Sequence, residues 1–247
     1  MNKATIDYEM LDKFGFETPP VGIKFTVKRP ENLSRINKHL TLCEMIKWAQ
    51  DGNAFYSETE DHACDTGLYV LGQKDVKKPY TNGKYGTGLQ VFESPRAASR
   101  LYQHIYKIDK GAVNYVSFSP LKKLTYEPDL LIITANTTQA EIILRASSYK
   151  TGDMWLSKYT AALGCDWLLV YPYLSGKINY ISTGLGFGMR RRHIFPEGLH
   201  MISIPFDKLN SLMQTLREMP WVPEPYKPDG LEYVRKLRID LGLDPPD

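Results

Sequence analysis

Three cysteines and one glycine–arginine segment hold the residue types best suited to chemistry in this chain of 247 residues. Thr41-Leu42-Cys43-Glu44 has the spacing of a capping box, which puts Cys43 in the first turn of a helix. Unpaired amides and the positive end of the helix dipole favour a thiolate there. Cys43 is therefore the candidate nucleophile, with a depressed pKa and the highest reactivity of the three expected. A small buried side chain facing a sheet is the plainer reading of the same position. Cys64 lies in Asp61-His62-Ala63-Cys64-Asp65, and in an extended segment His62 and Cys64 share a face. Imidazole and thiolate are both good metal ligands, although a lone turn histidine is commoner. Cys165 follows Gly164, read as a helix stop, and element ends are where sites tend to be built.

An odd count of three cysteines does not suggest a disulfide framework. Cys43, Cys64 and Cys165 are expected to approach one another at element ends as candidate metal ligands. Three thiolates can hold a [4Fe–4S] cluster with one iron open, or a metal with an exchangeable position. No compact Cys-x-x-Cys spacing supports this, so the expectation rests on convergence in space.

The second feature is Gly184-Leu185-Gly186-Phe187-Gly188-Met189-Arg190-Arg191-Arg192-His193. Glycines at alternate positions let backbone amides approach a ligand, and guanidinium groups bind carboxylate or phosphate bidentately. Gly184, Gly186, Gly188 and Arg190 are the candidate anion-binding residues. The glycines are expected in conformations closed to other residues, with Arg190, and Arg192 beside it, facing a cleft. The spacing is not that of a dinucleotide fingerprint, and Pro196 soon interrupts any helix. A solvated basic run on a mobile loop is the plainer reading. There is no Gly-x-Ser-x-Gly elbow, and the scattered carboxylates give a paired acid–base reading no anchor.

Composition limits the classes available. A net charge of +3 is too small to argue for nucleic acid as a partner. No apolar stretch is long enough to span a bilayer, and the N-terminus has no apolar signal core, so no membrane partner and a cytoplasmic location are expected. A small anionic ligand fits the basic loop, and a homo-oligomer is left open. The 16 tyrosines pair an apolar body with a polar tip, so some are expected to line a cleft.

The elements that must position these residues interleave along the chain. Strands are expected at Val21–Val27, Ala54–Ser57, Leu68–Gly72, Val113–Phe118, Leu130–Thr134, Trp167–Tyr171, Ile178–Ser182 and Met201–Ile204. Leu130–Thr134 is a continuous apolar run suited to a strand buried on both faces. Helices are expected at Asp7–Phe14, from Met45 to Gly52, from Ser94 to Ile108, from Thr138 to Ser148, and at Ser157–Leu163, Asp207–Glu218 and Leu231–Leu241. Thr138 and Glu141 suggest a second capping box. Lys74–Gly88 reads as a polar loop or hairpin, and Gly242 with Pro245-Pro246 as the final stop. The fold class is α/β or α+β, a mixed β-sheet with helices packed on it. Residues 1–219 read as a single α/β domain, and 220–247 as a proline-rich arm and C-terminal helix.

Several segments resemble one family. They are Pro20-Val21-Gly22-Ile23-Lys24-Phe25, Cys43 with Ala49 and Gly52, and Cys64-x-x-Gly67 leading to Leu71-Gly72. Glu127-Pro128-Asp129 follows, with Ala140, Arg145-Ala146 and Tyr149-Lys150-Thr151-Gly152. Gly164-Cys165, Ser175-Gly176-Lys177-Ile178-Asn179 and Arg190 complete the series. In this order they resemble the uncharacterised archaeal-conserved-region family, over most of residues 5 to 220. The resemblance implies an intracellular protein of mostly anaerobic bacteria and archaea, without an assigned reaction. It also implies a further cysteine in the glycine loop of many members. Here that loop reads Thr183-Gly184-Leu185-Gly186-Phe187-Gly188, so a fourth thiolate is missing from it.

Two functional readings compete. In the first, an intracellular redox or metal protein uses the three cysteines for an iron–sulfur cluster or metal, near an anion-binding glycine–arginine loop. In the second, a cofactor-free small-anion-binding protein or accessory subunit keeps its cysteines in the core.

Overall fold

Leu130-Leu131-Ile132-Ile133-Thr134-Ala135 is buried along its whole length, as a strand covered on both faces must be. Its side chains alternate between two cores: Leu130 and Ile132 enter one, and Leu131, Ile133 and Ala135 the other. The computed structural model describes residues 6–244. Six strands form its sheet: β1 (Val21–Thr26), β2 (Phe55–Ser57), β3 (Tyr115–Pro120), β4 (Leu130–Ala135), β5 (Asn179–Ser182) and β6 (His200–Pro205). Their order is β2-β3-β1-β4-β6-β5, and every neighbouring pair is antiparallel, which makes the fold α+β and the sheet antiparallel rather than mixed. The register pairs Ile23 with Phe118 on one side of β1 and with Leu130 on the other.

The helices are α1 (Glu9–Asp12), α2 (Leu42–Gln50), α3 (Asp65–Val70), α4 (Lys78–Thr81), α5 (Lys84–Gly88), α6 (Pro95–His104), α7 (Thr137–Ser148), α8 (Tyr171–Ser175), α9 (Phe187–Arg191), α10 (Phe206–Glu218) and α11 (Gly230–Asp240). Helices α7 and α10 cover one face of the sheet, where Ile143, Leu209, Leu212 and Leu216 meet Leu131, Ile133, Ile202 and Ile204. Fully burying each such side chain contributes about 1.5–3 kcal/mol. On the other face α2 sets Leu42, Met45, Ile46 and Ala49 against Val21, Ile23, Val116 and Phe118. That second face carries the cysteines.

Helix α2 begins as its sequence requires. The Thr41 hydroxyl accepts from Glu44 N–H at 3.3 Å, and Glu44 Oε2 accepts from Thr41 N–H at 2.8 Å. The second capping box forms two residues earlier than expected, between Asn136 and Gln139. Four segments depart further. Residues 68–72 belong to α3 and its terminal turn, and Trp167–Tyr171 is a π-helical stretch (Asp166–Val170) running into α8. All five residues from Trp167 to Tyr171 are buried, so neither periodicity shows in the sequence. Ser157–Leu163 is not helical. It runs beside β5, where Ser157 Oγ donates to Tyr180 O and Lys158 N donates to Asn179 Oδ1. Lys74–Gly88 contains α4 and α5 rather than an open hairpin.

Beyond α10, the arm is held by Arg145, whose guanidinium donates to Pro220 O at 2.8 Å and Trp221 O at 2.9 Å. Helix α11 leaves Leu231, Ile239 and Leu241 exposed. Pro245-Pro246 lies outside the described residues. Among the described residues, no helix is long and apolar enough to cross a membrane.

Candidate functional site

Each cysteine sits at the start of a helical segment on one face of the sheet. Cys43 is the second residue of α2, Cys64 immediately precedes α3, and Cys165 immediately precedes the π-helical stretch. Gly164 thus opens a continuous helical run over residues 164–175 instead of ending a helix. The three side chains line one small cavity of about 70 Å³. Tyr159, Gly186, Gly188, Met189 and Arg192 line it too, so the glycine–arginine segment forms part of the same wall. All three cysteines are free thiols.

Burial governs these thiols. Loss of solvent pushes the Cys43 thiol up to about 12, with nearby Cys64 adding to the rise and Arg192 opposing it. The expected depressed value at Cys43 is therefore corrected: desolvation outweighs the helix N-terminus and the Arg192 charge together. Cys165 is raised well above the ordinary thiol value, first by burial and then by Cys43 and Cys64. Cys64 also lines the larger pocket, and its Sγ is 3.1 Å from Thr66 Oγ1. Among the described residues, no group of three or more His, Cys, Asp or Glu side chains is gathered as ligands of one metal ion.

Cys64, Thr66, Leu163, Gly188 and Arg192 also line a second, larger pocket of about 490 Å³. Tyr80, Tyr85, Phe92 and Tyr102 form an aromatic wall there, and Arg191 a basic one. His62 lines this larger pocket, not the cysteine cavity. One of its ring nitrogens meets Ser57 Oγ at 3.2 Å, and Nδ1 is buried without a hydrogen-bond partner. Burial lowers the His62 pKa to about 4, which keeps the ring neutral.

The glycines of the 183–193 segment do three different things. Gly184 has φ +88°, a conformation that favours glycine. Gly186 has an ordinary φ of −85°, but the Tyr159 hydroxyl occupies the place a Cβ would take. Gly188 lies within α9. Arg190 does not line either cavity: it is largely exposed, with Nε 3.3 Å from Glu197 Oε1. Consecutive residues on a helical turn point about 100° apart, so Arg191 faces the large pocket when Arg190 turns away. Arg192 stands between the two cavities, 3.9 Å from Glu44.

Two more groups escaped sequence reasoning. The Tyr159 hydroxyl is buried without a partner in the cysteine cavity. Asp166, beside Cys165, is fully buried, and its carboxylate accepts from Tyr106 N–H. Burial raises its pKa to about 7. Nothing in the sequence marks either group; the burial of Asp166 and the π-helical turn, of a kind often found at functional sites, appear only in the fold.

An α+β protein with a thiol-lined cavity that shares residues with an adjoining aromatic and basic pocket is the class that this geometry defines. The chain belongs to the uncharacterised ArCR family, a family of domains of unknown function whose model matches residues 9–215. No curated protein and no solved structure matches it.

Proposed function

We propose that this is a redox or metal protein in which Cys43, Cys64 and Cys165 would hold a [4Fe–4S] cluster, leaving one iron without a thiolate. The observation that carries this reading is the convergence of three free cysteines, distant in sequence, on one cavity. A single ion would draw its thiolates to within roughly 3.8 Å of one another, from tetrahedral bonds of about 2.3 Å. Thiols spread around a cavity suit a cluster better, because each binds a different iron. The cluster supplies one-electron chemistry or an open iron for a ligand. Arg192 places a positive charge beside Cys43, where it favours the thiolate that ligation needs. The Tyr159 hydroxyl, without a partner in the protein, is available to donate to a thiolate or a cluster sulfide.

The raised Cys43 and Cys165 thiols support the second reading, a cofactor-free binding protein with cysteines as small core residues. Visible absorption of protein purified without oxygen separates the two. The cluster reading expects a brown protein that loses its colour in C43S, C64S and C165S alike while far-ultraviolet circular dichroism stays the same. A colourless wild-type protein supports the second reading.

A further inference from the structure

The larger pocket has an aromatic wall, basic side chains and room for a small molecule. Its volume of about 490 Å³ falls within the range of small-molecule sites, about 300–1,000 Å³. One wall is aromatic: Tyr80 and Tyr85 meet at 4.6 Å between ring centroids, with Phe92 and Tyr102 beside them. Basic side chains line the pocket too. Lys74 is neutralised there by Asp65 at 2.9 Å. Arg192 is partly answered by Glu44 at 3.9 Å. Among the described residues Arg191 has no carboxylate partner; its guanidinium rests 6.0 Å from the Phe187 ring centroid. The pocket thus presents about one uncompensated positive charge, enough for one carboxylate held bidentately and little for a polyphosphate. His62 is 5% exposed, lines the same pocket and keeps Nδ1 without a partner, a buried polar atom of the kind a ligand would satisfy.

We propose that this pocket binds a small aromatic carboxylic acid, its carboxylate on Arg191 and Arg192 and its ring among Tyr80, Tyr85, Phe92 and Tyr102. The pocket shares Cys64, Thr66 and Arg192 with the cysteine cavity, so a carboxylate held on Arg192 lies at the boundary of that cavity. The proposal deepens the cluster reading by naming the ligand that meets it, but the binding geometry does not depend on the cluster. The unpartnered Nδ1 of His62 offers a hydrogen bond to the ligand.

The test uses the full-length protein as purified, with iron content measured on the same sample. Benzoate, phenylacetate and 2-naphthoate are titrated and followed by ligand-observed NMR, with 2-naphthamide and inorganic phosphate as controls. At least one acid should bind saturably, and 2-naphthamide at least tenfold more weakly than 2-naphthoate. Phosphate should not displace the acid at equal concentration. R191A should weaken the acid about tenfold, and Y85A severalfold, with Y85A serving if R191A does not fold. Failure of all three acids to bind would overturn the proposal. So would equal binding of the amide, displacement by phosphate, or affinities that neither R191A nor Y85A changes. Iron content reports on the cluster separately, so colourless protein that binds the acid refutes only the cluster, and brown protein that ignores all three acids refutes only the ligand.

Discussion

Replacing Gly186 with alanine examines the wall of the cysteine cavity at its tightest point. Gly186 has φ −85° and ψ 125°, open to any residue, so G186A meets no backbone penalty. Its Cβ would overlap the Tyr159 hydroxyl and stand 3.1 Å from Cζ of that ring. Tyr159 packs against the core beneath α2 and cannot move away freely. Overpacking of this kind costs about 1–3 kcal/mol. Because the Tyr159 hydroxyl is buried without a hydrogen-bond partner, Y159F removes an unmet desolvation cost and should stabilise by about 1 kcal/mol. It removes the overlapping oxygen, so G186A added to Y159F should cost at least about 1 kcal/mol less than G186A alone. Urea unfolding of the four proteins, followed by far-ultraviolet circular dichroism at one pH, measures the coupling. An equal cost of G186A in both backgrounds would refute the packing of Tyr159 over Gly186, and with it this wall of the cavity.

Buried Asp166 and His62 give stability opposing pH dependences. Asp166 rises from 3.8 to about 7 on folding, so stability falls as pH rises from about 4 to 7; His62 drops from 6.5 to about 4, so stability rises between those values. D166N should therefore be more stable than wild type at pH 8, by on the order of 3 kcal/mol, and lose most of that advantage near pH 4; denaturant midpoints across pH check it, and no gain at pH 8 would contradict the buried-acid account. Burial raises the Cys43 and Cys165 thiols, so both are expected to be protonated at pH 8 in metal-free protein. Iodoacetamide should label Cys64 well before Cys43 or Cys165, as mass spectrometry of time points would show; labelling of Cys43 first would restore an activated thiol. R145A should destabilise by about 2 kcal/mol through loss of its bonds to Pro220 and Trp221, and R145K should recover little of it. An R145A denaturation curve superimposing on wild type would show that the arm does not depend on this anchor.

Local chemistry was legible in the sequence, and tertiary convergence was not. Thr41 and Glu44 announced the start of α2, and the apolar run of β4 announced a strand covered on both faces. Trp167–Tyr171 misled because a buried helix and a buried strand are both apolar at every position. The helix dipole at Cys43 was read correctly as local geometry but outweighed by desolvation, which depends on residues that only the fold brings near. Spacing could not bring the cysteines together; α2 and the 164–175 run do so by packing on the same face of the sheet. Likewise Arg190 was the arginine expected to face a cleft, but the turn of α9 sets Arg191 there and leaves Arg190 outside it.

Iron and acid-labile sulfide analysis of protein purified without oxygen, alongside C43S, C64S and C165S, tests the central claim most directly. The account predicts about four irons and four sulfides per wild-type chain and a large loss in each folded variant. A folded wild-type protein without iron or sulfide, or a full complement retained in any one of the three variants, would contradict it.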